Sequence, residues 1–268
     1  MKHALSFSSA KEPVLFIREG GEACEYIMQG EQSIWFSEDL FCIGYKGGDN
    51  GWTPCSHGSR YTKQCNSCQS KDVARVYTVG DFTLYPELHE QLSKEKYIIY
   101  LAQFGADITK VGLTRRSRML ERWKEQGADF AIPVLEFDGP DDAYPAEQLL
   151  QSLYDVVGAV KVAQKIKRLQ FDSSKARQKI SSIASEINEN PSFSNFLTGD
   201  KLVDLSSSYS KISNPEIVDF IGGKILGAKG QWLFFEGPSN LHYGINMNQQ
   251  VGRFLVEKKT FDKEQAIL

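Results

Sequence analysis

The run "YIIYLAQFGADITKVGLTRRSRMLERWKEQGA", Tyr97 to Ala128, constrains the fold more tightly than any other part of the chain. It reads as two short strands running into a helix studded with arginines. On the first strand Ile98, Tyr100 and Ala102 share one face, and on the second Lys110, Gly112 and Thr114 do. Gly112 takes away a side chain where a neighbour or ligand must come close. Beyond Thr114 the spacing becomes helical. Arg115, Arg118 and Arg122 fall at i, i+3 and i+7 on a single stripe, while Met119, Leu120 and Trp123 turn toward a core. A stripe of guanidinium groups suits anion recognition, because each planar fork matches two phosphate oxygens. The plainer reading is a solvated helix face.

The elements around this run point to an α+β protein. "IPVLEFD" continues it with a third strand, and "PAEQLLQSLYDVVGAVKVAQKIKRLQF" reads as one long helix with Pro145 at its first position. A second helix is expected over roughly 173–188. Ahead of the run, "PVLFIR", "EYIMQG" and "SIWFSE" are short β-rich segments; after it, "GGKILGAKGQWLFFEG" and "VGRFLVEK" return to β character. Short terminal strands form independent sheets with difficulty, so the two ends are expected to share one β domain. The expected divisions are an N-terminal β region with a cysteine loop at 1–95, a central module at 96–158, a helical extension at 159–200, and a C-terminal β region at 201–268 packing with the first.

Charge is unevenly spread. The net charge is −3, which argues against a protein that coats nucleic acid or an anionic membrane wholesale. Yet Lys110 to Lys124 carries six Lys/Arg against Glu121 alone, and Lys161 to Lys179 carries seven against Asp172 alone. Such blocks can form a basic face on an acidic body. Arg115, Arg116, Lys161, Lys165 and Arg168 are the candidates to contact nucleic acid, DNA or RNA. No apolar run is long enough to span a membrane and the first residues lack a secretory pattern, so a cytoplasmic protein is expected.

Four of five cysteines, Cys42, Cys55, Cys65 and Cys68, lie in one loop rich in Gly, Asn, Ser and Pro. The last two form Cys-x-x-Cys, in which one tight turn supplies two ligands of a tetrahedral site. A structural zinc held by four thiolates is expected, with His57 as a substitute ligand. Four sulfurs leave no open coordination position, so catalysis is not expected at this metal. Cys24, alone, reads as a reduced cysteine buried as a small hydrophobe.

The order strand, strand, arginine helix, strand, glutamate helix, with Ile98-Ile99-Tyr100 and Lys110-Val111-Gly112 as paired signatures, resembles the GIY-YIG nuclease superfamily over Tyr97 to about Gly158. Ile98 stands where that family has its first glycine and Lys110 where it has its second tyrosine. The whole chain also resembles a prokaryotic domain-of-unknown-function family. The nuclease resemblance implies a three-stranded sheet with helices and a Mg²⁺- or Mn²⁺-dependent endonuclease site. In it Tyr100 would lie beside the attacking water, Arg122 or Arg118 would hold the scissile phosphate, and Glu147 would bind the divalent ion. Lys110 would be a phosphate contact or a proton-transfer group. The alternatives are a non-catalytic nucleic-acid adaptor with the same fold, or an enzyme acting on a small phosphorylated substrate. Each residue also has an ordinary reading: Tyr100 as a core aromatic, Glu147 as a first-turn carboxylate favoured by the helix dipole.

Overall fold

The computed structural model describes residues 1–47 and 51–256. Two sheets dominate, antiparallel throughout except where Glu216–Ile217 pairs in parallel with His242–Asn246. The smaller is a four-stranded sheet in the order Val203–Asp204, Phe130–Asp138, Lys96–Phe104, Ile108–Arg115. Its central strand is buried along almost its whole length, and Tyr100 pairs with Gly112 on one side and Pro133 on the other. The expected three strands are all present, joined by the short strand at Val203, whose two residues extend the edge beside Phe130 and Ala131.

Strand alternation gives this sheet two faces with different work. Tyr97, Ile99, Leu101 and Val111 face a core made with the helices Ala143–Leu153 and Ser173–Glu189. Ile98, Tyr100, Ala102 and Phe104 face the opposite way, against Trp123 of the helix Met119–Gln126. The first face carries the larger buried core and the second a smaller one, and at roughly 1.5–3 kcal/mol for each large apolar side chain fully buried, this double-sided burial is a main source of the module's stability.

The larger sheet has nine strands and joins both ends of the chain. Its order is Glu216–Ile217, His242–Asn246, Trp232–Glu236, Ile221–Lys229, Glu31–Phe36, Phe254–Val256, Lys2–Ser8, Val14–Glu19, Glu22–Ile27. The strand Phe254–Val256 lies between two N-terminal strands, pairing Leu255 with Phe36 on one side and with Lys2 on the other. Trp232 and Phe234 point from one strand into a small core with Ile212, whereas Leu233 and Phe235 join the main core of the sheet.

Two expectations about helices are corrected. The arginine helix begins at Met119, not before it: Arg115 ends a strand, and Arg116–Arg118 form one 3-10 turn. Arg115 therefore follows the period of the strand, and its side chain goes with Tyr97 to the face away from Tyr100. The long helix expected from Pro145 onward is two helices, Ala143–Leu153 and Val162–Ile166, with Pro145 at the third position of the first. Between them Val157 forms a parallel bridge to Lys110, with Val111 N donating to Val157 O and Val157 N donating to Thr109 O, both at 3.0 Å. The open edge of the strand Ile108–Arg115 recruits this backbone, and a continuous helix would leave those groups unpaired. Among the described residues no helix is long and apolar enough to cross a membrane.

Candidate functional site

Tyr100, Lys110 and Gly112 are brought together by register. Tyr100 sits opposite Gly112 and Ala102 opposite Lys110, so all four share the sheet face that carries the arginine helix. A Cβ at position 112 would lie 2.5 Å from the Tyr100 hydroxyl and 2.8 Å from Lys110 Nζ. The glycine is thus a hole filled by two functional groups. Tyr100 is fully buried, its ring edge-on to Trp123 at 5.8 Å, yet its hydroxyl has no hydrogen-bond partner among the described residues. Gln126 Oε1, also without a partner, and Arg122 stand near it without reaching hydrogen-bonding geometry.

Glu147, on the helix Ala143–Leu153, is close enough for its charge to act on Lys110 and Tyr100 and to feel that of Arg122. Its helix packs on the strand Ile108–Arg115, and the bridge at Val157 holds the following segment against that edge. Burial raises the Glu147 pKa above the ordinary carboxylate value, against the pull of Lys110 and Arg122. Burial also lowers Lys110 to about 8, with Glu147 opposing and Arg122 adding to the fall. Tyr100 is pushed up to about 12 by burial, partly offset by the Arg122 charge. Four groups that feel one another's charge form a single cluster, and perturbed groups of this kind concentrate at functional sites. Lys110 Nζ donates to Val111 O at 2.8 Å. Among the described residues Glu147 has no hydrogen bond or ion pair, and Lys110 and Arg122 act on it through charge alone.

The remaining arginines and lysines are more committed than their sequence context suggests. Arg118 and Arg122 are half-exposed and share Glu125, at 3.2 and 3.5 Å. Arg115 pairs with Glu95 at 2.7 Å, and Arg116 with Glu136 and Asp200 at 2.6 and 3.2 Å. Arg168 is bound in bidentate fashion to Asp107, both contacts at 2.7 Å. Lys165, read from sequence as a surface contact, is 8 % exposed. It donates to Gln126 O at 2.7 Å and Gln231 Oε1 at 3.0 Å. Its pKa falls to about 8, chiefly through burial. Only Lys161 of that set is exposed with its side chain unpaired among the described residues.

Sequence reasoning missed Gln126 and Gln231. The first faces the buried Tyr100 hydroxyl, and the second donates to Glu125 O at 3.3 Å while receiving Lys165. No pattern signals them, since their partners are distant in sequence. The helix end they hold packs backbone to backbone on the hairpin turn at Gly230. A Cβ at Gly127 would lie 2.8 Å from Gly230 N, and one at Gly230 would lie 2.8 Å from Gln126 O.

The cysteines form a second centre. The sulfurs of Cys42, Cys55, Cys65 and Cys68 all lie within 4.8 Å of one another, with Cys55 and Cys65 at 3.9 Å. Tetrahedral coordination at about 2.3 Å per bond requires sulfurs about 3.8 Å apart, so this set could hold a metal ion such as zinc. Cys65 N donates to Cys42 Sγ at 3.3 Å, the kind of amide contact that stabilises a thiolate. Backbone hydrogen bonding, led by Ser59, lowers Cys55 to about 6, and amide donation from Cys68 lowers Cys65. Burial raises Cys42 and Cys68. His57 turns to Ser67 Oγ at 3.3 Å and is not among the four converging ligands. Cys24, expected inside as a small hydrophobe, is instead exposed, because it lies on Glu22–Ile27, the strand at the edge of the larger sheet.

A family model described as a protein of unknown function, DUF2797, matches residues 36–253, and the chain belongs to that family. No curated protein and no solved structure matches it.

Proposed function

We propose that this member of the DUF2797 family binds nucleic acid and cleaves phosphodiester bonds at a GIY-YIG-like, metal-dependent site. The convergence of Tyr100, Lys110, Arg122 and Glu147 around the hole at Gly112 carries this reading. Its support is the placement of each group on the element the resemblance names, with the strand bearing Tyr100 central between its two neighbours.

In this reading Arg122 binds a non-bridging phosphate oxygen, exchanging its long contact with Glu125 for a shorter, charge-assisted one. Glu147 would hold Mg²⁺ or Mn²⁺; a lone carboxylate suits an ion that keeps most of its waters, and Glu147, without a hydrogen bond or ion pair among the described residues, fits the role. Such an ion supplies charge neutralisation at the reacting phosphate and an acidified water. The Tyr100 hydroxyl, buried and without a hydrogen-bond partner among the described residues, would serve as the hydrogen-bonding group for the attacking water. Lys110, with its pKa lowered to about 8, takes or returns a proton near neutral pH, as a general acid–base requires. The four cysteines hold a structural zinc that organises the loop bearing them.

The test is cleavage of labelled single- and double-stranded DNA and RNA with Mg²⁺ or Mn²⁺. Glu147→Ala should abolish cleavage while leaving binding largely intact, because the arginine contacts to phosphate remain. An adaptor without catalysis is the second reading, favoured by the sharing of Glu125 between Arg118 and Arg122. It requires that wild type cleave none of these substrates and still retain them.

A further inference from the structure

A separate cavity of about 320 Å³ is lined by Phe171, Tyr209, Ile212 and the exposed Lys211. Among its lining residues is a buried ion pair. Lys229 Nζ meets Asp129 Oδ1 at 2.5 Å, with the two side chains 9 % and 2 % exposed. Asp129 Oδ2 accepts from Gly105 N at 2.8 Å. Lys229 Nζ stands between two rings, 5.3 Å from the centre of Tyr209 and 5.8 Å from that of Phe171. Tyr209 is itself held in place, its hydroxyl donating to Ala128 O at 2.9 Å.

The pair alone does not need a cavity. Taking two charges out of water costs several kcal/mol per ion, and apolar packing would close the same contact at least as well. Here both members of the pair line a cavity that two aromatic rings, Phe171 and Tyr209, also line, at the lower limit of volume for small-ligand sites. Lys229 has one protein acceptor for its three N–H groups among the described residues, and Asp129 keeps lone pairs beyond the two contacts it makes. A ligand that satisfies both must be flat enough to lie against the rings and must present an acceptor beside a donor on one edge.

We propose that this cavity binds a nucleobase. The ring stacks against Phe171 or Tyr209, its edge carbonyl or ring nitrogen accepts from Lys229, and its adjacent N–H donates to Asp129. The exposed Lys211 meets the attached phosphate. Stacking of a base on an aromatic side chain is worth about 1–3 kcal/mol. The inference stands apart from phosphodiester cleavage: the cavity contains neither Tyr100 nor Glu147, and the base could belong to a free nucleotide or to a strand.

Titration of the full chain with each of the four ribonucleoside 5′-monophosphates, followed by chemical shifts of the aromatic side chains, tests it. At least one should bind with a dissociation constant below about 1 mM, perturbing Phe171 and Tyr209. Phe171→Ala, which spares the ion pair, should weaken binding at least tenfold, and Lys211→Glu should weaken a monophosphate more than its nucleoside. Lys229→Met serves as the stronger variant where its fold is verified by circular dichroism. A parallel titration with a tetranucleotide separates the sources: tighter binding than the best mononucleotide assigns the site to a strand, weaker binding to a free nucleotide. No shift at Phe171 or Tyr209 with any of these probes at 5 mM-scale concentrations, roughly the limit for specific weak sites, overturns the proposal. So does binding that Phe171→Ala leaves unchanged.

Discussion

The Tyr100 hydroxyl occupies the space that a side chain at position 112 would need, 2.5 Å from where its Cβ would stand. Gly112→Ala therefore collides with the fully buried tyrosine and with the Lys110 ammonium. Overpacking of this kind costs about 1–3 kcal/mol. A displacement of about 1 Å at reacting groups lowers rates on the order of 10²-fold. Cleavage assays beside a urea titration should show the activity loss exceeding what the stability change explains.

Tyr100→Phe should separate function from stability in the other direction. It removes a buried hydroxyl with no hydrogen-bond partner among the described residues, so stability should hold or rise by up to about 1 kcal/mol. Cleavage should fall by about 10²–10⁴-fold. A large loss of stability in thermal unfolding would mean that the hydroxyl has a partner in solution.

Lys110 gives a pH signature of definite sign. Its pKa is about 8 in the folded chain against 10.5 for a free lysine. Between those values the unfolded chain binds more protons, so stability contributed through this residue rises with pH across that window. Below pH 8 both states are protonated and the cost of burying the charge is present in full. The difference in unfolding free energy between wild type and Lys110→Met should therefore drift in favour of wild type from pH 8 to 10. A flat difference would remove Lys110 from the buried cluster.

For the cysteine centre, protein purified without added metal should contain about one zinc per chain, as a four-sulfur site holds one ion. Cys68→Ser should lose it and lower the melting temperature, as should prolonged chelation, while His57→Ala should retain it. Elemental analysis decides between these outcomes.

What could be read in the sequence follows the range of the forces involved. The strands at Tyr100, Gly112 and Val134 were visible because alternation is written locally, and the cysteine set because its chemistry has few other uses in a polar loop. The break after Leu153 was not visible: "YDVVGAV" has helix-compatible hydrophobicity, and only the unpaired edge beside Lys110 draws Val157 out of a helix. Lys165 looked like one member of a solvated charge run, yet the backbone carbonyl of Gln126 and the side-chain carbonyl of Gln231 accept from it and hold it inside. Arg115 was placed one turn too far into a helix, since strand and 3-10 turn share its letters with the helix that follows. In each case the deciding partner is distant in sequence.

The insertion of Phe254–Val256 between Glu31–Phe36 and Lys2–Ser8 has a consequence for biogenesis. While the chain is being made, these two N-terminal strands wait with facing edges exposed until the strand that joins them emerges. The central module needs no such late segment for its three long strands, and contacts that close early in synthesis form first. Nascent chains should thus pass through a stage with the arginine helix already docked on its sheet and the nine-stranded array still in two pieces. At that stage the open edges are the part of the molecule most in need of chaperone cover.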